Sequence, residues 1–144
     1  MIATAATPPC TDELLASFEA CTLPGADFHH ADHVHVAWAY LQRLPLLEAL
    51  PRFVTGLQRF AAHHGAPQRY HATITLAYFF LIAERREQRA GADTWEEFAA
   101  ANADLLQWKG GVLERRYSAE MLASDLARRV FVLPDGGSAA PLAP

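Results

Sequence analysis

Four of the seven histidines lie in one short apolar segment, residues 28–38, which reads FHHADHVHVAW. A further histidine, His71, lies in the segment YHATIT, residues 70–75. Histidine titrates near neutral pH and is the commonest protein ligand of transition metals. Histidines carried into a hydrophobic core therefore indicate a chemical site, for proton transfer or for metal binding.

Which histidines of the first cluster point in the same direction depends on where the predicted helix begins. On a helix that begins near Phe28, His30 and His33 share the apolar face because they are three residues apart. His35 falls on a more polar face, and we expect it at the surface. If the helix begins a residue or two later, His29 takes the place of His30. The pattern predicts two inward histidines and leaves open which of His29 and His30 is the first.

The second cluster opens a helix predicted over residues 68–89, which is apolar on nearly all sides in its middle. His71, Thr75 and Tyr78 follow helical spacing along one stripe of it, and Tyr70 directly precedes the first of them. The two predicted helices bring their histidines together if they pack antiparallel or splay at one end.

Three histidines, His30, His33 and His71, would then converge on one pocket. Three imidazoles and an open position are the coordination of a catalytic zinc ion. We predict a divalent transition metal, zinc by default, with nickel, copper or iron also accepting imidazole. The residues expected to orient a small polar substrate beside it are Tyr70, Thr75 and Tyr78.

Two other hypotheses use the same residues. In the first, the pocket holds no metal, and a histidine acts as general acid or base for a lyase, isomerase or cyclase reaction. In the second, the protein is a binding module, for a small ligand or a partner, whose histidines sense pH or the ligand without catalysis. Chelation separates the metal enzyme from the metal-free one.

Arginines near the C-terminus suggest a substrate-binding group. Arg116 and Tyr117 lead directly into a predicted helix, whose N-terminal N–H groups and a guanidinium together suit a carboxylate or phosphate. Arg128 and Arg129 are expected to fix the C-terminal segment by pairing with Asp135, and either is able to reach the pocket.

Five or six helical segments with short connections and no strand alternation predict an all-α, single-domain bundle over residues 11–135. Residues 1–10 and 136–144 are expected to be flexible, and residues 130–133 to be extended. The predicted helices cover residues 11–21, 28–43, 45–64 and 68–89, followed by one capped by Thr94 and one capped by Ser118.

Composition limits the classes of partner. The 144 residues carry a net charge of -4, which does not suit general nucleic-acid binding. The longest apolar run, residues 74–83, is too short to cross a bilayer, and the N-terminus lacks a secretory signal. We therefore expect a cytoplasmic protein that acts on a small molecule, without membrane or nucleic acid, and a homodimer is compatible with the sequence.

The same residues resemble a family of small, mostly uncharacterised bacterial proteins over about residues 12–135. The resemblance rests on an aromatic-x-His-x-x-His helix at residues 28–33 and a Tyr-His-(Glu/Ala)-Thr helix at residues 70–73. It implies that His30, His33 and His71, rather than His29 and His35, form the functional set. Ala72 stands where that family often carries glutamate, which removes a candidate general base or fourth ligand.

Overall fold

A computed structural model describes residues 11–25, 28–90 and 94–136. Over these residues the protein is all-α, with seven α-helices and no strand, and this confirms the predicted fold class. The helices are α1 Thr11–Glu19, α2 His30–Arg43, α3 Leu46–His63, α4 Ala72–Gln88, α5 Trp95–Ala101, α6 Ala119–Leu122 and α7 Asp125–Arg129, with 3-10 turns at Pro67–Arg69, Ala103–Leu106 and Val112–Arg115. Apart from Gly136, the two segments expected to be flexible lie outside the described residues.

The number of helices exceeds the predicted five to six because the last predicted helix is divided into two short helices, α6 and α7. The Ser118 side chain accepts a hydrogen bond from the Met121 N–H and begins α6. Ser124 accepts one from the Ala127 N–H and begins α7. Each serine satisfies a donor at a helix start, so a second capping residue inside the predicted helix starts a new one.

The start of α4 also differs from the sequence prediction. The helix begins at Ala72 rather than near residue 68, because His71 is extended (φ -131°, ψ 111°) and caps it. The preceding turn, Pro67–Arg69, is a separate 3-10 element. His71 therefore lies at the N-terminus of α4, directly before its first residue, and its side chain contacts the first turn.

The centre of the bundle is α2, which packs against α1, α3 and α4. All residues from 36 to 41 are buried, whereas α4, expected to be the most enclosed helix, leaves Phe80 40% exposed. In the described parts of the chain, none of the helices has both the length and the apolar character that crossing a membrane requires.

An aromatic cluster around Phe18 joins α1 to the rest of the bundle. Phe18 is fully buried, and its ring centroid lies 5.7 Å from that of Phe60 and 6.4 Å from that of Phe53. Gly56 on α3 makes room for it, since a Cβ there would lie 2.6 Å from Phe18 Cε2. The close approach of α1 and α3 thus depends on a residue without a side chain.

The segment expected to be extended, residues 130–133, has no regular secondary structure and lies across α4. Thr73 Oγ1 donates to the Val130 carbonyl at 2.8 Å and accepts from the Val132 N–H at 3.1 Å. One buried hydroxyl therefore holds the C-terminal segment against the start of α4.

Candidate functional site

A cavity of about 910 Å³ lies between α2, α3 and α4. Its walls are mostly apolar, and most of its polar groups are imidazole nitrogens and hydroxyl groups. The histidine, tyrosine and threonine side chains that line it are His29, His30, His33, His64, Tyr70, His71, Thr75 and Tyr78, and Arg69, Trp108 and Arg128 complete its polar and aromatic rim. A large apolar pocket with a few convergent polar groups is the usual form of a small-molecule site.

The histidine that caps α4, His71, uses its whole ring to hold the fold. Its Nδ1 accepts a hydrogen bond from the Ile74 N–H at 3.1 Å, which requires that this nitrogen carry no proton. The proton of the neutral ring is therefore on Nε2, which donates to the Leu122 carbonyl at 2.7 Å. Both ring nitrogens are used, and neither has a lone pair to offer a metal.

The first histidine of α2, His30, uses one ring nitrogen. Nε2 lies 2.8 Å from the Leu105 carbonyl, and because a carbonyl only accepts, Nε2 carries the proton. The ring packs between Tyr78 and Trp108, with centroid distances of 4.5 and 5.2 Å. Burial lowers the pKa of His30 despite the opposing effect of the carbonyl, so the ring is neutral at pH 7 and its Nδ1 is an acceptor.

His33, one turn further along α2, differs from the other two. Its ring lies against Phe28, at a centroid distance of 4.5 Å, and makes no hydrogen bond to the described residues. Burial lowers the pKa of His33 to about 4, with His30 adding to the effect and Asp32 opposing it. No side-chain nitrogen or oxygen of the described residues is both fully buried and unpaired, so the unpaired ring nitrogens of His33 keep some exposed surface, and the residue lines the pocket.

The other two histidines of the first cluster are placed differently from each other. His29 precedes the first turn of α2, is exposed, and donates its backbone N–H to Asp32 Oδ2 at 2.9 Å. His35, expected at the surface, is half-buried because its ring stacks on Trp95 at 4.1 Å, nearly parallel. The helix begins at His30, two residues after Phe28, yet His30 is not replaced by His29 as expected for a later start. It stays in the pocket with His33, and His35 is directed towards α5.

The hydroxyl residues expected to orient a substrate, Tyr70, Thr75 and Tyr78, all line the pocket. Burial, with smaller effects from Glu114 and Asp104, raises the pKa of Tyr78 to about 12. Burial also raises the pKa of Tyr70. Both phenols are therefore neutral hydrogen-bond donors at pH 7.

The predicted substrate-binding pair, Arg116 and Tyr117, does not line this pocket. Tyr117 is buried and donates its hydroxyl to the Val132 carbonyl at 2.7 Å. The anion expected at the following helix start is supplied by the chain itself, since Asp135 accepts from both the N–H and the hydroxyl of Ser118 at 2.7 Å. The geometry gives this region a structural role, with Arg116 exposed beside it.

Three lining residues were not predicted from the sequence, namely His64, Arg69 and Trp108, and a fourth, Arg128, was predicted only as one of two alternatives. His64 follows the end of α3, a position that indicates dipole stabilisation rather than a site. Arg128 was expected to pair with Asp135 or to reach the pocket, and it does reach the pocket. Trp108 lies in a loop whose only signal is the glycine pair that follows it.

The described residues contain no group of three histidine, cysteine, aspartate or glutamate side chains arranged to hold a metal ion. The three predicted ligands do line one pocket, but the hydrogen bonds of His71 use the nitrogens that coordination would need. No protein-family model matches the chain, and no curated protein or solved structure is significantly similar to it. The resemblance to a bacterial family stays a prediction, and the functional argument depends on the pocket alone.

Proposed function

We propose that the protein is a small, metal-independent enzyme that binds a largely apolar molecule in the helical pocket and uses His33 as its proton acceptor. The observation that carries the proposal is the state of His33: it lines the cavity, has no hydrogen bond to the described chain, and has a pKa of about 4. A neutral imidazole held without a protein partner has its acceptor nitrogen available to a bound molecule.

The chemistry that fits is a lyase, isomerase or cyclase reaction that begins with proton abstraction. His33 takes a proton from a carbon or oxygen of the substrate, and the electron pair of the broken bond stays on the substrate. Tyr78, a neutral donor, is placed in the same pocket to stabilise that negative charge by a hydrogen bond. The imidazolium then returns the proton to another atom of the substrate or to its leaving group.

Replacing His33 by asparagine should lower the rate of proton abstraction about 10²-fold or more, the usual contribution of a general base. A suitable assay incubates the protein in D₂O with a panel of small ketones, aldehydes and 2-oxo acids and follows carbon-bound deuterium by NMR. Because His33 loses its proton near pH 4 rather than near 6.5, the rate should stay constant between pH 6 and 8 and fall only as pH falls towards 4.

The matched control is His63→Asn, which removes an exposed histidine outside the pocket and should leave the exchange rate unchanged. Equal exchange in the wild-type protein and in His33→Asn would overturn the proposal. Binding of panel members without any exchange would favour the binding module over the enzyme.

A metal enzyme is the second candidate, favoured by one observation. His30 and His33 are three residues apart on α2, and each keeps a ring nitrogen without a partner among the described residues. A divalent transition metal held by this pair would act as a Lewis acid in the pocket. His71 would join them only by giving up its bonds to Ile74 and Leu122, and chelation that abolishes activity would support this candidate.

A further inference from the structure

Two arginines, Arg69 and Arg128, line the pocket. Arg69 closes the 3-10 turn Pro67–Arg69, and Arg128 lies in α7. Arg128 Nη1 donates to the Gln68 carbonyl at 2.7 Å and to the Tyr70 carbonyl at 3.5 Å. These two carbonyls belong to the residues on either side of Arg69, so α7 fixes a second cation beside the turn that carries the first.

Neither cation is neutralised by the part of the chain that the structure describes. Within residues 11–25, 28–90 and 94–136, no carboxylate forms an ion pair with Arg69 or Arg128, although exposed arginines elsewhere do pair, as Arg43 does with Asp12 and Arg129 with Asp125. The remaining donors of Arg128, on Nε and Nη2, also have no described partner. The guanidinium groups are therefore available to a bound molecule.

The charge of the lining supports the same conclusion. Among the residues that the structure describes, no aspartate or glutamate lines the cavity, although acidic residues outnumber basic ones by 16 to 12 in the chain. Asp104 and Glu114 act on Tyr78, and Asp32 acts on His33. None of these three carboxylates lines the cavity itself. A local positive charge on an acidic protein attracts anions to the two arginines.

The rest of the cavity suits a hydrocarbon body. Beyond the polar groups its walls are formed by aliphatic and aromatic side chains of the three central helices, among them Val34, Phe53, Leu57, Phe79 and Ile82. Burial of an apolar ligand surface against these walls is favourable and desolvates no polar group. A single charged group at the end of the ligand can then bind the arginines.

We propose that the natural ligand is an amphipathic organic anion, with an apolar body in the cavity and one terminal carboxylate or phosphate bound by Arg69 and Arg128. This inference rests on the proposed function, because it names the substrate class of the same pocket. The guanidinium fork matches the paired oxygens of either head group. The head group at the arginine end then leaves the body of the ligand beside the histidines of α2.

Octanoate, octyl phosphate and octan-1-ol test this inference, by isothermal titration calorimetry with the full chain. We expect one or both anions to bind about 10- to 100-fold more tightly than the alcohol, the usual effect of a charged hydrogen bond. Arg69→Gln should remove most of that advantage and leave octanol binding unchanged. The tighter of the two anions identifies the head group.

The matched control is Arg129→Gln, which removes a neighbouring exposed arginine that pairs with Asp125 and does not line the cavity. It should bind octanoate as the wild-type protein does. Arg128→Lys, which keeps the charge and loses the fork, should weaken octanoate binding if it folds as the wild-type protein does by circular dichroism.

Equal binding of octanol and both anions, an unchanged affinity of Arg69→Gln for the tighter anion, or no binding of any of the three probes would each overturn the anion assignment. The assay of His33 by deuterium exchange is independent of these results. Arginine-dependent octanoate binding in a protein whose exchange rate does not depend on His33 would overturn the enzyme and leave the anion pocket standing.

Discussion

His71→Ala should lower the free energy of unfolding by about 2–5 kcal/mol, since it removes both the cap of α4 and the link from α4 to α6. Loss of a side-chain cap costs about 1–2 kcal/mol, and a partly buried carbonyl left without its donor adds about 1–3 kcal/mol. The two bonds concerned join the His71 ring to the Ile74 N–H and to the Leu122 carbonyl. Urea denaturation measures the loss.

A matched variant separates the two contributions. His71→Asn should recover part of the stability, because asparagine caps helices well but is too short to reach Leu122. An alanine variant as stable as the wild-type protein would contradict the structural role of His71 and would return it to the set of candidate metal ligands.

Phe18→Ala should cost about 3–5 kcal/mol of unfolding free energy, the range for deletion of a buried aromatic ring. The ring is fully buried and packs against Phe28, Phe53 and Phe60. Because Phe28 and Phe60 also line the pocket, the cavity left behind should disturb the wall beside His33 as well as the attachment of α1.

Phe80→Ala is the control for this prediction, since Phe80 is 40% exposed and should cost about 1 kcal/mol. Denaturant unfolding of the two variants measures the difference in unfolding free energy, provided that both show the same m-value, the slope of that free energy against denaturant concentration. Equal losses for the two phenylalanines would contradict the role of the aromatic cluster around Phe18 in joining α1 to the bundle.

Local signals in the sequence predicted the parts of the fold that local chemistry decides. Thr94 and Glu97 form the predicted capping box at the start of α5, and the three-residue spacing of His30 and His33 places both in the pocket. The start of α4 was missed because histidine is not among the preferred capping residues, so nothing local distinguished His71 from a residue inside the helix.

The parts that depend on distant contacts were not predictable from spacing. The partner of His71 lies 51 residues further along the chain, and the carbonyl that Arg128 binds most closely lies 60 residues before it. A pattern within one helix can place a side chain on a face. It does not indicate whether a backbone carbonyl of another element will occupy the ring nitrogen that a metal would need.

The proposed function requires that the pocket histidines be neutral imidazoles without metal and that both ring nitrogens of His71 stay hydrogen-bonded within the fold. A long-range ¹H–¹⁵N spectrum of the histidine rings at pH 7, recorded before and after one equivalent of Zn²⁺, tests this requirement. We expect a neutral His33 and an Nε2-protonated His71 whose ring signals do not move with zinc. Joint shifts of His30, His33 and His71 at one equivalent would contradict it and establish the three-histidine metal site.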